Sequence, residues 1–345
     1  MKLIVITQKV DINDDNLSFF HRWLEKLSGK VERLFVVCLA EGEHHLPKNT
    51  TVYSLGKERG YSKIRQLFRL QKFLLKNLPE ADGVFVHMCP IYAVASWPLV
   101  KIFRKKMILW FLHRNVSWKL KLAEKCVAKI LTASEESCRL KNRKKIEIVG
   151  HGIDTDFFKP APFNVQPSAA GKLRIISVGR ISPIKDQETL IRAIDILFNQ
   201  KNIKDIEVKF FGTPLEKYER IYLEELKDLV KQKQLEGCIE FLGGVSNNEM
   251  PEYYQNADLV VNLSHTGSID KVMLEAMACA IPVLTCNEAF RNILGEKYLF
   301  EKKNPQDLAE KIINLRAAGK DTSLREIVVK YHNLDNLIGK IIAEF

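Results

Sequence analysis

Residues 258–287 read DLVVNLSHTGSIDKVMLEAMACAIPVLTCN, and their apolar pattern changes period three times. DLVVNLS is a β-branched run of strand type, SHTGSID is a small polar loop, and KVMLEAMACA has the period of a helix. Ile281-Pro282 is expected to stop that helix before a second strand, PVLTC. The order is strand, loop, helix, strand. Val272, Met273, Leu274, Ala276, Met277 and Ala278 leave the helix no wide polar face, so it is expected to be buried nearly all round. Glu275 stands in the middle of it. A buried carboxylate without a partner is costly, so Glu275 needs one. Two answers are open: a ligand bound behind the Gly-Ser loop at the helix N-terminus, or a protein Arg or Lys.

Upstream, LRIISVGR from Leu173, IEVKFFG from Ile206 and IEFLGG from Ile239 are further strand-like runs with helix-like segments between them. Residues 172–325 are therefore expected to form one α/β domain. The tail from Asn304 to Phe345 has no strong strand signal and reads as two or three helices, with 326–345 as a terminal helix expected to pack on the N-terminal domain. Earlier still, LIVIT (from Leu3), RLFVVCL (from Arg33), GVFVHM (from Gly83), KMILWFLH (from Lys106) and KILTAS (from Lys129) are short and continuously apolar. Continuous strands interleaved with helices indicate a parallel sheet covered on both faces, hence a doubly wound α/β domain over residues 1–160. APFNVQPSAAGK is polar and without period, which makes 161–171 the linker.

A chain of 345 residues exceeds what one core usually fills, in keeping with two domains. Its hydrophobic content of 46% and charged content of 28% describe an ordinary globular protein. No apolar run has the length of a membrane span, and MKLIVIT is too short for a signal peptide, so a cytoplasmic location is expected. The seven cysteines form no CxxC pair and are expected to be reduced and buried, with no zinc site. Charge is unevenly spread: 29 Lys and Arg stand against 16 Asp and Glu in residues 1–160, and 24 against 26 beyond. The basic half suits an anionic partner, such as nucleic acid, an acidic membrane surface or a phosphorylated substrate; a solvated basic surface is the plain alternative. No RNA-binding aromatic platform or recognition-helix motif accompanies it, which argues against nucleic acid.

In parallel sheets ligands bind beyond the carboxyl ends of the strands. His87 and His113 fall there in the first half, and either could grip a ligand or be a satisfied structural residue. SKIRQLFRLQKFLLKNL, from Ser62, interleaves apolar and basic residues; it is either an interfacial amphipathic helix or a domain helix with a solvated face. In the second half, Arg180 and Lys185 lie on a strand-to-helix loop stiffened by Pro183. Two cations in such a place can clamp a diphosphate, the Arg as a planar fork and the Lys as a point charge.

Together, VGR-x4-K, the FFG and FLGG strand ends and LEAMACAIPV resemble the second domain of retaining, nucleotide-sugar-dependent glycosyltransferases of the GT-B fold, in the large family 4. The match spans roughly Leu173 to Thr285, and HGID followed by F-x-P resembles that family's Asn-Gly-Val-Asp turn, with His151 in the Asn position. The resemblance implies two doubly wound Rossmann-like domains facing a cleft. It implies that Arg180 and Lys185 hold the diphosphate and stabilise the leaving group, and that Glu275 accepts hydrogen bonds from the ribose. Gly179, Gly267, Ser268, Ile269, Asp270 and Leu274 would complete the donor site, with Gly243, Gly244 and Val245 near the base. His113 would come from the first domain to the reacting sugar. No metal or other cofactor is implied, because basic side chains and a helix dipole take that part.

Two departures from the family pattern stand out. The family's second Glu, eight positions before the one matching Glu275, is here Gly267. The Gly-rich loop common after the first strand is replaced by TQKVDINDDNLSFFHRW, where Asn16 or Asp14 could supply a polar contact; Asn16 and His87 are the acceptor-side candidates. The expected reaction is transfer of a sugar from a nucleoside diphosphate donor to an acceptor hydroxyl with retention, in glycolipid or cell-surface polysaccharide synthesis. The basic half fits a lipid-linked acceptor at the inner membrane surface. A catalytically degenerate nucleotide-binding protein is the alternative that Gly267 raises.

Overall fold

The computed structural model describes residues 1–14, 17–161, 171–316 and 319–345. The chain divides into two units, Met1–Gly152 with Asn333–Phe345 and Ile153–His332. The linker expected at 161–171 lies mostly outside the described residues. The division falls earlier than residue 160 because Ile153 and Phe158 are buried in the core of the second unit.

Among its described residues the first unit holds seven strands: β1 (Lys2–Val10), β2 (Arg33–Glu41), β3 (Thr50–Ser54), β4 (Gly83–His87), β5 (Lys106–Trp110), β6 (Lys129–Thr132) and β7 (Ile146–Ile148). They pair in the order β3-β2-β1-β4-β5-β6-β7, every pair parallel. Leu3 stands opposite Leu34 on one side and Gly83 on the other, so the most apolar strands occupy the centre. β3 and β7 close the two edges; half exposed and short, they carry little of the apolar pattern by which the central strands are recognised. Helices α1 (Phe19–Ser28), α2 (Lys63–Asn77), α3 (Pro90–Ile102) and α4 (Trp118–Cys126) connect the strands. α2, α3 and α4 bury Leu70, Phe73, Leu74, Ala93, Val100, Leu120 and Ala123 against one face of the sheet. α1 covers the other face.

The second unit repeats the plan with β8 (Leu173–Val178), β9 (Ile206–Phe211), β10 (Ile239–Gly243), β11 (Leu259–Asn262) and β12 (Val283–Thr285), in the order β10-β9-β8-β11-β12. Its helices are α5 (Gln187–Asp195), α6 (Lys217–Gln232), α7 (Met250–Asn256), α8 (Lys271–Ala278), α9 (Pro305–Leu315) and α10 (Thr322–Tyr331). α8 is buried as its composition requires, with Met273 through Ala278 all inside. It ends before Pro282: Ala280 takes a left-handed φ of 59°, and the Ile281 N–H closes back on the Ala276 carbonyl at 3.1 Å. α11 (Leu334–Ala343) belongs to the first unit, where Leu334, Leu337, Ile338 and Ile341 join Trp23 and Trp110 on the α1 face of the sheet. α10, part of the segment expected to return to the first domain, stays in the second unit because Leu324 and Val328 pack into its core.

The same packing removes His87 from the acceptor-side candidates. Its ring is buried and stacks on Phe20 with centroids 3.8 Å apart, and its Nδ1 lies 3.2 Å from the Thr7 hydroxyl. Burial, with His151 as a lesser cause, pushes it down to about 3. Burial likewise lowers His332 to about 4, and burial followed by the nearby His44 lowers His21 to about 4. Each of these imidazoles is neutral when folded and takes up a proton near 6.5 when unfolded, so the stability it contributes is complete above pH 6.5 and is lost as the pH falls toward its folded value. Thermal unfolding followed from pH 7 downward should therefore show a loss of up to about 1.4 kcal/mol per pH unit for each such group. His87→Phe, which keeps the stack on Phe20, should flatten that dependence; an unchanged slope would mean His87 is protonated in the folded chain.

Candidate functional site

Because the five strands of the second sheet are parallel, their carboxyl ends open at one edge, and the loops that follow β8, β9, β10 and β11 gather there. Backbone bonds draw three of those ends together. The Gly179 N–H donates to the Phe211 carbonyl at 2.9 Å, and the Gly212 N–H donates to the Gly243 carbonyl at 2.7 Å. Gly212 has a φ of 141°, and a Cβ there would collide with the Gly179 carbonyl. Only glycine permits this approach.

Lys185 ends a short 3-10 turn, Pro183–Lys185, that follows the β8 loop. Its ammonium donates to the Asp270 carboxylate at 2.7 Å and to the Ser264 hydroxyl at 3.0 Å. Asp270, immediately before α8, is in turn fixed by Asn287, whose Nδ2 donates to its other oxygen at 2.9 Å and to the Ser268 carbonyl at 2.7 Å. The His265 N–H donates to the Ile184 carbonyl at 3.0 Å, tying the β11–α8 loop to the turn that presents Lys185. Gly267, within this loop, has a φ of 66°, so a Glu at that position would sit in the strained left-handed region. Lys185, Gly267, Ser268 and Asp270 are thus held in one polar web at the helix N-terminus. Within it a carboxylate occupies the cation expected to meet a diphosphate.

Arg180 is separately anchored. Its Nε lies 3.2 Å from the buried Glu219 carboxylate. Glu219 also accepts the Leu215 and Glu216 N–H groups at 2.8 and 3.1 Å at the start of α6. Burial opposes the charge on Glu219, but the backbone N–H groups and Arg180 outweigh it and hold the carboxyl below its usual range. A capping residue thereby orients the guanidinium.

Glu275 finds its partners within the protein. The Asn247 amide donates to it at 3.0 Å, the Tyr254 hydroxyl at 3.2 Å, and the Lys271 ammonium lies 3.1 Å away, one turn earlier on α8. Burial, then the Glu275 charge, raises Tyr254 well above its usual 10, so its hydroxyl keeps the proton it donates. The buried carboxylate is therefore satisfied by protein groups, and its burial does not by itself require a ligand. Gly244 is exposed and Val245 half-buried just beyond β10. The Leu274 side chain is wholly buried in the core, which removes it as a donor contact. His113 is exposed in the first unit; its backbone N–H donates to the Ser137 carbonyl at 2.8 Å, and its Nδ1 accepts the Asn115 N–H at 3.0 Å, leaving the proton of the neutral ring on Nε2. Asn16 lies outside the described residues. The one Asp-x-Asp spacing, Asp154 and Asp156, has a structural use: Asp154 accepts the Asp156 and Phe157 N–H groups at 3.2 and 3.3 Å.

Glu219, Asn247, Ser264 and Asn287 escaped the sequence reading. Asn287 had a signal, since it follows the PVLTC strand at the carboxyl edge. The others act by contacts across loops that spacing does not encode.

Residues 172–317 match the model of the family described as Glycosyl transferases group 1, so the resemblance carried by VGR-x4-K and LEAMACAIPV holds over that part of the second unit. The D-inositol 3-phosphate glycosyltransferase of Kineococcus radiotolerans is 32% identical over 41% of this chain and 34% of its own length. A GDP-mannose-dependent alpha-(1-6)-phosphatidylinositol monomannoside mannosyltransferase of Mycobacterium tuberculosis is 26% identical over 41% of this chain and 38% of its own. The chain spans about a third of the length of the curated relatives it matches first. Among solved structures, Anabaena HepE in complex with UDP superposes with a TM-score of 0.78 at 19% identity, covering 100% of this chain and 99% of that one. The fold is GT-B, two Rossmann-like domains.

Asp270→Asn should free Lys185 of its counter-charge and tighten binding of UDP or inorganic pyrophosphate, by up to about tenfold in calorimetric titration. Unchanged affinity would mean that a diphosphate does not meet Lys185.

Proposed function

We propose that this chain transfers a sugar from a nucleoside diphosphate sugar to an acceptor hydroxyl with retention of anomeric configuration. The observation that carries the reading is the Lys185–Asp270–Ser264 cluster at the carboxyl edge of a group 1 glycosyltransferase-like unit. An ammonium already held on an oxyanion there suits a diphosphate, whose charge grows as the bond from the anomeric carbon to the β-phosphate oxygen breaks. Lys185 exchanges Asp270 for that phosphate, Arg180 supplies a second cation, and the N-terminus of α8 adds its dipole. Glu275 accepts from the ribose hydroxyls when the Asn247 amide gives way. Gly243, Gly244 and Val245 border the base. The new bond joins the anomeric carbon to the acceptor oxygen on the same face, and the acceptor proton passes to the departing phosphate. These cations do the work that a divalent metal does elsewhere, so the reaction is metal-independent. HepE bound to UDP and to UDP-glucose, and the GDP-mannose-dependent relative, make UDP and GDP conjugates the first donors to test. Among the described residues no helix is long and apolar enough to cross a membrane. The acceptor is lipid-linked, and the chain meets it as a peripheral protein at the inner face of an anionic membrane.

A second reading is favoured by Gly267: a nucleotide-binding protein without turnover, since the family's second Glu is absent. The experiment is thermal unfolding with UDP, GDP, ADP and their sugar conjugates, where a ligand at about 100 times its Kd stabilises by about 2.7 kcal/mol. One nucleotide should stabilise the wild type, and donor turnover should persist in excess chelator. Lys185→Ala should fold normally and lower kcat by about a hundredfold or more. Stabilisation without hydrolysis or transfer would establish the second reading, and no response to any nucleotide would sink both.

A further inference from the structure

Much of the first unit's excess positive charge lies in one stretch of its sequence. From Arg59 to Ala123 the sequence holds 13 Lys and Arg against two acidic residues, Glu80 and Asp82. Both acids are engaged with Lys2, Glu80 by its ammonium at 3.2 Å and Asp82 by its backbone N–H at 2.7 Å, just before β4. The span takes in α2, β4, α3, β5 and the start of α4, whose next residue is Glu124. The three helices pack side by side: the Gln71 amide of α2 donates to the Ala95 carbonyl at 2.8 Å, the Tyr92 hydroxyl of α3 to Gln66 at 3.1 Å, and α3 touches α4.

The outer surface of this layer is apolar as well as basic. On α2, Ile64, Phe68 and Leu75 follow one another at i, i+4 and i+11, on a single stripe, and are 69%, 70% and 54% exposed. Lys63 flanks the stripe on one side, and Lys72 and Lys76 on the other. Ile102 of α3 is 70% exposed and Trp118 of α4 65%. Lys101 lies over the Trp97 ring at 4.9 Å.

We infer that the α2–α3–α4 face of the first unit docks on an anionic lipid surface. The complementarity selects that occupant. A second copy meeting the same face would set like charge against like. A nucleic acid would answer the cations and could stack bases on Phe68 and Trp118, but it would leave the aliphatic Ile64, Leu75 and Ile102 without a use. Basic side chains bordering exposed Phe, Ile and Trp match a headgroup layer with acyl chains beneath it. Topology gives the docking a purpose. α2, α3 and α4 each follow a parallel strand, so each begins at the carboxyl edge of the first sheet, the edge that carries His113. Ile64, Phe68 and Trp118 lie toward that end, and an acceptor hydroxyl anchored in lipid would be delivered there. For this purpose the inference rests on the glycosyl-transfer reading; the docking itself does not.

The test is co-sedimentation of the full chain with vesicles of phosphatidylcholine alone or with roughly a third phosphatidylserine. Binding should be at least about tenfold stronger on the anionic vesicles and should fall at about 0.5 M salt. Lys72→Glu/Lys76→Glu and Phe68→Ser/Trp118→Ser should each weaken it about tenfold, the first by charge and the second by lost insertion. Circular dichroism and the nucleotide-induced thermal shift serve as folding controls, because every altered side chain is exposed. Equal binding to both kinds of vesicle, no binding by folded protein, or variants that bind like the wild type would overturn the inference. Random-sequence DNA bound more tightly than the vesicles, with a steep salt slope, would replace it with a nucleic-acid surface. Nucleotide stabilisation without vesicle binding would remove the docking face and leave the donor site. The reverse result would remove the donor site and leave the face.

Discussion

Parallel strands covered on both faces have only their ends for chemistry, and that constraint organises both units. In the second unit it becomes a contact: the Gly212 backbone lies against the Gly179 carbonyl so closely that no side chain fits between them. This draws the ends of β8, β9 and β10 together. The turn that presents Lys185 follows directly from the same strand end, so its position depends on that approach. The β11–α8 loop is then fixed to the turn by the Lys185 ion pair with Asp270 and by the His265 N–H on the Ile184 carbonyl.

Within that edge, carboxylates and cations come in assigned pairs. Asp270 holds Lys185, Glu219 holds Arg180, and Glu275 is answered by Asn247, Tyr254 and Lys271. In each the carboxylate is largely buried while its cation still reaches the surface, so the pair offsets the cost of burying the carboxylate and orients the cation. A cation already fixed at the strand ends meets an incoming anion with less ordering to do. The left-handed backbone at Gly267 belongs to the same economy of loop geometry: a Glu there would add a carboxylate at the expense of strain.

The first unit spends its polar surface differently. Its sheet is filled on one face by α2, α3 and α4 and on the other by α1 and α11, and the buried His87 belongs to the latter packing. The outward sides of α2, α3 and α4 carry Lys and Arg together with apolar side chains that the core did not need. Interior and surface therefore use similar residues for different ends, distinguished only by which stripe of a helix they occupy.

The amino-acid sequence by itself determined the α/β class, the central strands, the buried α8 and the basic first half, because each is written in local period or simple composition. It also placed Arg180, Lys185 and the Gly267–Asp270 loop at strand ends, since parallel topology follows from continuous apolar runs. Edge strands β3 and β7 were not legible, because edge positions demand little apolar pattern. Only the tertiary structure decided which partner each polar group meets: that Glu275 is satisfied by Tyr254, Asn247 and Lys271, that Lys185 rests on Asp270, and that His87 and Leu274 face the core. Apart from Lys271, one turn before Glu275 on α8, these partners stand far apart in the chain and meet only where separate elements pack against one another, so local sequence carries no term for them.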